Sequence, residues 1–350
     1  MTVGMINTVL GTVSPTDLGI TLPHEHLFVH TENWFVEPKT EADRTFANTP
    51  VRLSSLTQLK YRPYSNWDNV HLDDYETVLA EVRRFKDVGG GTIVDLSSSA
   101  IGQDVAKMKQ VSEESGVHVV AGCGYYVATA HPPDLRDRNV QQITDTIVGE
   151  LRDGIGNTGI CAGVIGEVGT THPIDPVERK VLEASAAAHT ETGAPISVHL
   201  SNGPPEYWLE VLTVLEDNGA DPSKVALGHL DGYRPFDLKT HATIAERGAY
   251  VEYDIFGLLE FSEDGFWAPP PSDLERVEAV RELWEMGHGE RILLSHDVCL
   301  KMQQIAYGGL GFAHLPAHVA PVMRSLGGLS DQQIETMFQT NPARWLAWSS

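Results

Sequence analysis

From residue 72 to the end of the chain, short continuous apolar runs alternate with longer amphipathic stretches. Tyr75, Val78, Leu79, Val82 and Phe85 recur at helical spacing, Gly89-Gly90-Gly91 supplies the stop, and Thr92–Leu96 follows as a buried strand. The same order predicts helices over 103–115, 140–153, 176–192, 205–218, 238–247 and 273–287, and strands over 117–122, 162–168, 196–199, 225–229, 249–254 and 292–297. A strand at 19–26 precedes the series, two helices near 316–325 and 331–339 close it, and residues 3–13 read as a short hairpin. Each strand is apolar enough to be covered on both faces, which is the signature of a parallel sheet. Eight such strands predict a (β/α)8 barrel occupying residues 1–350 as one domain. A doubly wound open sheet would need a glycine fingerprint after a strand, and the triple glycine here precedes one. Residues 30–72 break the rhythm. They are polar and aromatic, with Trp34, Tyr61, Tyr64 and Trp67, and so long an irregular segment predicts an excursion near the functional end.

Composition narrows the partners. The formal net charge of -23 disfavours nucleic acid and anionic membranes, which repel an acidic surface. No basic-then-apolar leader and no run long enough to span a bilayer is present, so a cytoplasmic protein acting on a small molecule is expected. Three widely spaced cysteines, Cys123, Cys161 and Cys299, form neither a disulfide framework nor a thiolate zinc site.

In a barrel the carboxyl ends of all strands meet at one mouth, where chemistry is placed. The residues there are His24 and His26 on the first strand, Glu167 on the fourth, His199 on the fifth, His229 on the sixth and Asp297 on the eighth. His24 and His26 leave a strand on one face, with Glu25 on the other. Packing does not ask for polar groups at strand ends. Imidazole and carboxylate suit zinc, manganese, iron or cobalt, and six donors exceed one four-coordinate ion. Two divalent ions use them all: His24, His26 and Asp297 on the more buried one, His199 and His229 on the other, and Glu167 bridging both. The remaining histidines, among them His30 and His71, fall in loops, on helices or at a strand start, and His296 should point away from the mouth.

Together, Leu22-Pro23-His24-Glu25-His26, Ile165-Gly166-Glu167-Val168-Gly169, Pro195–His199, Gly228-His229 and Ser295-His296-Asp297 resemble the phosphotriesterase-related family of the amidohydrolase superfamily, over nearly the whole chain. The resemblance implies a TIM barrel, a binuclear divalent-metal centre (usually zinc) held by those six residues, and a homodimer. Two departures narrow it. Glu167 stands where the phosphotriesterases and nearby lactonases carry a carboxylated lysine, as in the homology-protein branch. Ile255 follows Asp254 where those enzymes place a His or Arg, which argues against efficient organophosphate hydrolysis. Gly122-Cys123-Gly124-Tyr125-Tyr126 resembles the lactonase segment whose tyrosine contacts the substrate, which implies that role for Tyr126.

The expected reaction is hydrolysis of a lactone or carboxylic ester. Amide hydrolysis of an N-acyl amino-acid-like substrate is the close rival, weak phosphotriesterase activity a lesser one, and a metal-binding barrel without turnover the non-enzymatic alternative. Two cations acidify a shared water to give a bridging hydroxide, and Asp297 is the expected general base. The loops after strands 7 and 8, including Trp267, are expected to shape specificity, with Asp231 available for a polar substrate group.

Overall fold

The computed structural model describes residues 4–232, 234–258 and 270–349. Eight strands form one sheet in which the paired neighbours are parallel and adjacent in sequence: β1 (Ile20–Glu25), β2 (Gly90–Asp95), β3 (His118–Cys123), β4 (Val164–Thr170), β5 (Ile196–Leu200), β6 (Val225–Leu227), β7 (Tyr250–Tyr253) and β8 (Ile292–Leu294). The hydrogen-bonded ladder runs from β1 to β8, and side-chain and backbone hydrogen bonds close the seam between those two. Ser295 Oγ accepts from His24 N–H at 3.1 Å, and His24 O accepts from Asp297 N–H at 3.2 Å. Glu25 faces away from the mouth, as its place in the strand requires. Its carboxylate accepts from Ser295 Oγ, His296 N–H and Val298 N–H at 2.8, 3.0 and 2.9 Å, riveting the first strand to the last.

The crossover helices form where the periodicity placed them. α1 (Tyr75–Asp87) buries Val78, Leu79, Val82 and Phe85 and is capped by Asp74, whose carboxylate accepts from Thr77 N–H. α2 (Val105–Ser115), α3 (Val140–Arg152), α4 (Pro176–Thr192), α5 (Pro205–Asp217), α6 (Leu238–Glu246) and α7 (Asp273–Glu285) follow. The triple glycine is only partly a stop. Gly90 and Gly91 already belong to β2, and a Cβ on Gly91 would fall 2.1 Å from the Leu18 carbonyl oxygen. That position lacks a side chain because another backbone presses on it.

Two layers of apolar side chains give the barrel a closed floor. Val94, Val120, Val164, Ala226, Tyr250 and Leu293 form one inner cluster, continuous with Ile6 and Leu18 below and with Trp345 and Leu346 of the helix Asn341–Leu346. Each valine or leucine among them contributes about 1.5–3 kcal/mol by burial. The strands also pack outward against the helices in a second, larger cluster. The expected N-terminal hairpin is present as Ile6–Thr8 paired with Gly11–Val13. Residues 30–72 form a partly helical excursion, with helices Glu41–Ala47 and Leu56–Tyr61 and a small core of Val51, Leu59 and Val70 against Leu300 and Met302. Its ends are drawn together by an antiparallel ribbon, Val29–His30 against His71–Leu72. No helix among the described residues is long and apolar enough to cross a membrane.

Strands 6 and 8 are shorter than the hydrophobic pattern predicts, and the reason lies in the chemistry. The ladder of β6 stops at Leu227 and that of β8 at Leu294, before His229 (φ 61°) and Asp297 (φ 51°). Left-handed backbone at a non-glycine residue costs about 1–3 kcal/mol and cannot continue a strand. The chain leaves the sheet so as to aim these two side chains inward.

Candidate metal centre

All six expected ligands converge above the barrel floor. His24 Nε2 lies 3.3 Å from Glu167 Oε2, and His26 Nε2 lies 3.5 Å from Glu167 Oε1 and 3.2 Å from Asp297 Oδ1. His199 Nδ1 stands 3.1 Å from Glu167 Oε2 and 2.8 Å from His229 Nε2. Two ligand groups therefore meet on one carboxylate, His24–His26–Glu167 on one side and Glu167–His199–His229 on the other, and Asp297 joins His24 and His229 in a third. Glu167 is the residue common to the first two groups.

The second nitrogen of each imidazole decides which one faces inward. Asp254 lies between two of them: Oδ1 is 2.9 Å from His229 Nδ1, and Oδ2 is 2.9 Å from His24 Nδ1. His229 N–H also donates to that carboxylate at 3.0 Å. His26 Nδ1 is 2.9 Å from Ser97 Oγ. With Nδ1 engaged in all three, Nε2 is the atom presented to the centre; His199 presents Nδ1 instead. Gly228 keeps this arrangement clear, since a Cβ there would lie 2.8 Å from Asp254 Oδ2.

The electrostatics are those of an ion site. Burial alone would keep Glu167 protonated, but His199, His229 and His24 around it hold its pKa well below the carboxylate range. Burial likewise opposes charge on His24, and Asp254 outweighs it to raise that imidazole well above its ordinary value. Asp297 is lowered against burial by His26 and His24. Below the centre, burial pushes Glu252 up to about 7, within 3.5 Å of His24 Nδ1. Anions buried at these distances need positive charge among them, supplied either by protonated imidazoles or by bound cations. His24 Nε2 is fully buried and makes no well-formed hydrogen bond, its neighbour being the Glu167 carboxylate 3.3 Å away, an arrangement that an ion between the two would satisfy. The donor set fits two divalent ions of the zinc, manganese, iron or cobalt type.

A cavity of about 240 Å³ opens directly on the ligands, with His26, Glu167, His199, His229 and Asp297 as its floor. Trp34 and Tyr64 of the excursion, Val29 just before it, Ile101 and Leu200 make the apolar part of the wall, and Thr31, Thr171, His172, Ser201 and Asn202 make the polar part. Tyr126 stands in the cavity with its hydroxyl 3.4 Å from His199 Nδ1, accepting from Trp34 Nε1–H at 3.2 Å. Burial holds its pKa well above the usual phenol value, so it keeps its proton.

Two expectations change here. Asp231 does not line the cavity. It is fully buried, paired with Arg276 at 2.6 Å, and accepts from the N–H groups of Asp254 and Ile255 at 3.1 Å each, so it anchors the turn that carries Asp254. The described wall also comes less from the loops after β7 and β8 than from the excursion and the loops after β3, β4 and β5. Phe312 is buried in the core and Tyr307 packs on the excursion, leaving Asp297 and Cys299 as the contribution of the last loop. Phe261, Phe266 and Trp267 lie outside the described residues.

A parallel barrel whose strand ends gather imidazoles around a shared, ionised carboxylate is the architecture of a metal-dependent hydrolase. Within that class, the chain belongs to the phosphotriesterase family, whose model matches residues 4–346. It is similar to an N-acetyltaurine hydrolase from Danio rerio, 37% identical over 350 residues covering 99% of this chain and 98% of the relative. Among solved structures, a resiniferatoxin-binding protein from Rhodobacter sphaeroides matches with a TM-score of 0.92 and 38% identity, covering 98% of this chain and 95% of the other. A lactonase from Listeria monocytogenes matches with a TM-score of 0.78 and 25% identity, covering 99% and 100%.

Asp254, Glu252, Ser97 and Glu25 are the site residues that sequence reasoning left unassigned. Glu252 and Asp254 carried a signal, being two acids two residues apart at the end of a strand that is otherwise apolar and aromatic, and hence on one face of the barrel.

Proposed function

We propose that this protein hydrolyses the amide bond of a small N-acyl compound whose remaining substituents are uncharged, using two divalent ions, zinc in the first instance. The observation that carries the reading is the ligand cluster opening on a cavity whose wall, among the described residues, holds no lysine or arginine. The full-length similarity to N-acetyltaurine hydrolases supports an amide as the bond cut. Taurine, however, brings a sulfonate. Here such a group would meet no lysine or arginine among the described wall residues, only Val29, Trp34, Tyr64 and Ile101, the neutral polar groups of Thr31, Thr171, Ser201 and Asn202, and His172, in a chain of net charge -23. An anion held there finds no lysine or arginine to offset the cost of leaving water.

His24, His26, Glu167, His199, His229 and Asp297 would hold the ions, which when bound acidify water and polarise the carbonyl. Asp297, beside His26 and open to the cavity, accepts the proton of the attacking water. It then returns that proton to the nitrogen as the C–N bond breaks, a step an amide needs more than an ester does because an unprotonated amine leaves poorly. Tyr126, protonated and fixed by Trp34, donates toward the acyl oxygen and orients it. A second reading, lactone or ester hydrolysis, is favoured by Tyr126 itself and by the similarity to a lactonase.

Metal-loaded protein assayed on an N-acetyl derivative of a neutral amine, N-acetyltaurine, a γ-lactone, an aryl acetate and paraoxon separates the readings. The neutral amide is expected to exceed N-acetyltaurine by about tenfold or more in kcat/KM, with paraoxon weakest. Turnover confined to lactones and esters moves the assignment to the second reading. A preference for N-acetyltaurine refutes the uncharged-substrate reading.

A further inference from the structure

The antiparallel ribbon that begins the excursion carries a second group of donors, shared with none of the six ligands. His30 and His71 face each other across it in register, and Glu32 opens the short turn Glu32–Trp34 that follows. His71 Nε2 lies 2.7 Å from Glu32 Oε1, and the His30 and His71 rings meet edge-on at 4.5 Å between centroids. One donor atom from each of the three residues lies within 4.8 Å of the others. We propose that His30, Glu32 and His71 bind one further divalent transition-metal ion, zinc in the first instance, outside the catalytic centre.

Two features separate this group from a surface ion pair. The His71–Glu32 contact is complete without a third partner, yet His30 is held beside it, where two protonated imidazoles would repel. His30 is also kept in place: Gly102, in a left-handed turn at φ 84°, carries no side chain, and the imidazole packs on its bare backbone, where a Cβ would lie 2.7 Å from the ring. On the other side His71 stacks on Trp67, with 6.1 Å between centroids and 14° between planes. Burial and the neighbouring His71 lower the pKa of His30, which leaves its lone pair free. His71 and Glu32 are 24% and 56% exposed, so an ion can enter and water can complete a tetrahedral set of two nitrogens and one oxygen, the pattern of open zinc sites.

The position gives the ion a consequence. The turn that starts at Glu32 carries Trp34, which donates to Tyr126, and the Tyr126 ring lies 4.8 Å from that of His199. An ion clamping Glu32 to the ribbon therefore stiffens one wall of the catalytic cavity.

Equilibrium dialysis against zinc, with metal content read by plasma mass spectrometry, tests the site directly. The wild-type chain is expected to bind three ions and a His30→Ala/His71→Ala variant two, with the third ion lowering KM more than it changes kcat. Glu32→Gln keeps the shape of the turn and should weaken the third site by about tenfold or more. A wild-type chain that saturates at two ions, a double variant that still takes three, or a Glu32→Gln variant with an unchanged third affinity overturns the proposal. The ion counts and affinities do not depend on which bond the enzyme cuts.

Discussion

Asp297→Asn should keep its metal ions and lose turnover by about three orders of magnitude, within the 10²–10⁴-fold that a positioned acid–base group contributes. The substitution is well matched to its site. Asp297 sits at φ 51°, a conformation that asparagine adopts about as readily as aspartate, so the turn after β8 survives. The side-chain oxygen that faces His26 at 3.2 Å also survives as a ligand. What disappears is the capacity to take a proton from water and deliver it to the leaving nitrogen. Metal content alongside kcat checks this; more than about a tenth of wild-type turnover in a fully loaded variant would remove Asp297 from that role.

Asp254→Ala should act on the metals rather than on the chemistry. One carboxylate engages His24 Nδ1 and His229 Nδ1, a ligand in each half of the centre. Loss of such a supporting contact lowers metal affinity by about 10–100-fold, so loss of both predicts about 10²–10⁴-fold. The backbone penalty at His229 sharpens the effect, because its left-handed turn is held by N–H donation into the same carboxylate. Competition against a chelating indicator measures it, with kcat at saturating metal falling much less than affinity. Wild-type affinity in this variant would show that the imidazoles are oriented by their strands alone.

These two residues mark how far the sequence could be read. Asp297 was legible because a barrel makes every strand end a question and polar answers there are conspicuous. The six ligands, the helices and the floor of the barrel all follow from periodicity and strand ends, which are properties of neighbours along the chain. Asp254 stood in the same row of strand ends, but its role depends on His24 and His229, from strands far away in sequence, turning their Nδ1 atoms toward it. Asp231 misled for the same reason: its spacing from His229 suggested the mouth, and only the fold reveals Arg276 from α7 reaching it. The excursion was legible from its length and aromatic content as lying near the site, whereas its part in the cavity wall and the meeting of His30 with His71 required the fold. Strand lengths were overestimated at β6 and β8 because hydrophobic pattern is blind to a left-handed turn at His229 and Asp297.

Removal and return of metal bears most directly on the whole account. Protein stripped with a chelator, verified metal-free and assayed on the neutral N-acyl substrate should be inactive, and activity should return in proportion to added zinc until the six-ligand centre holds two ions. Hydrolysis that persists in the verified metal-free protein would contradict it.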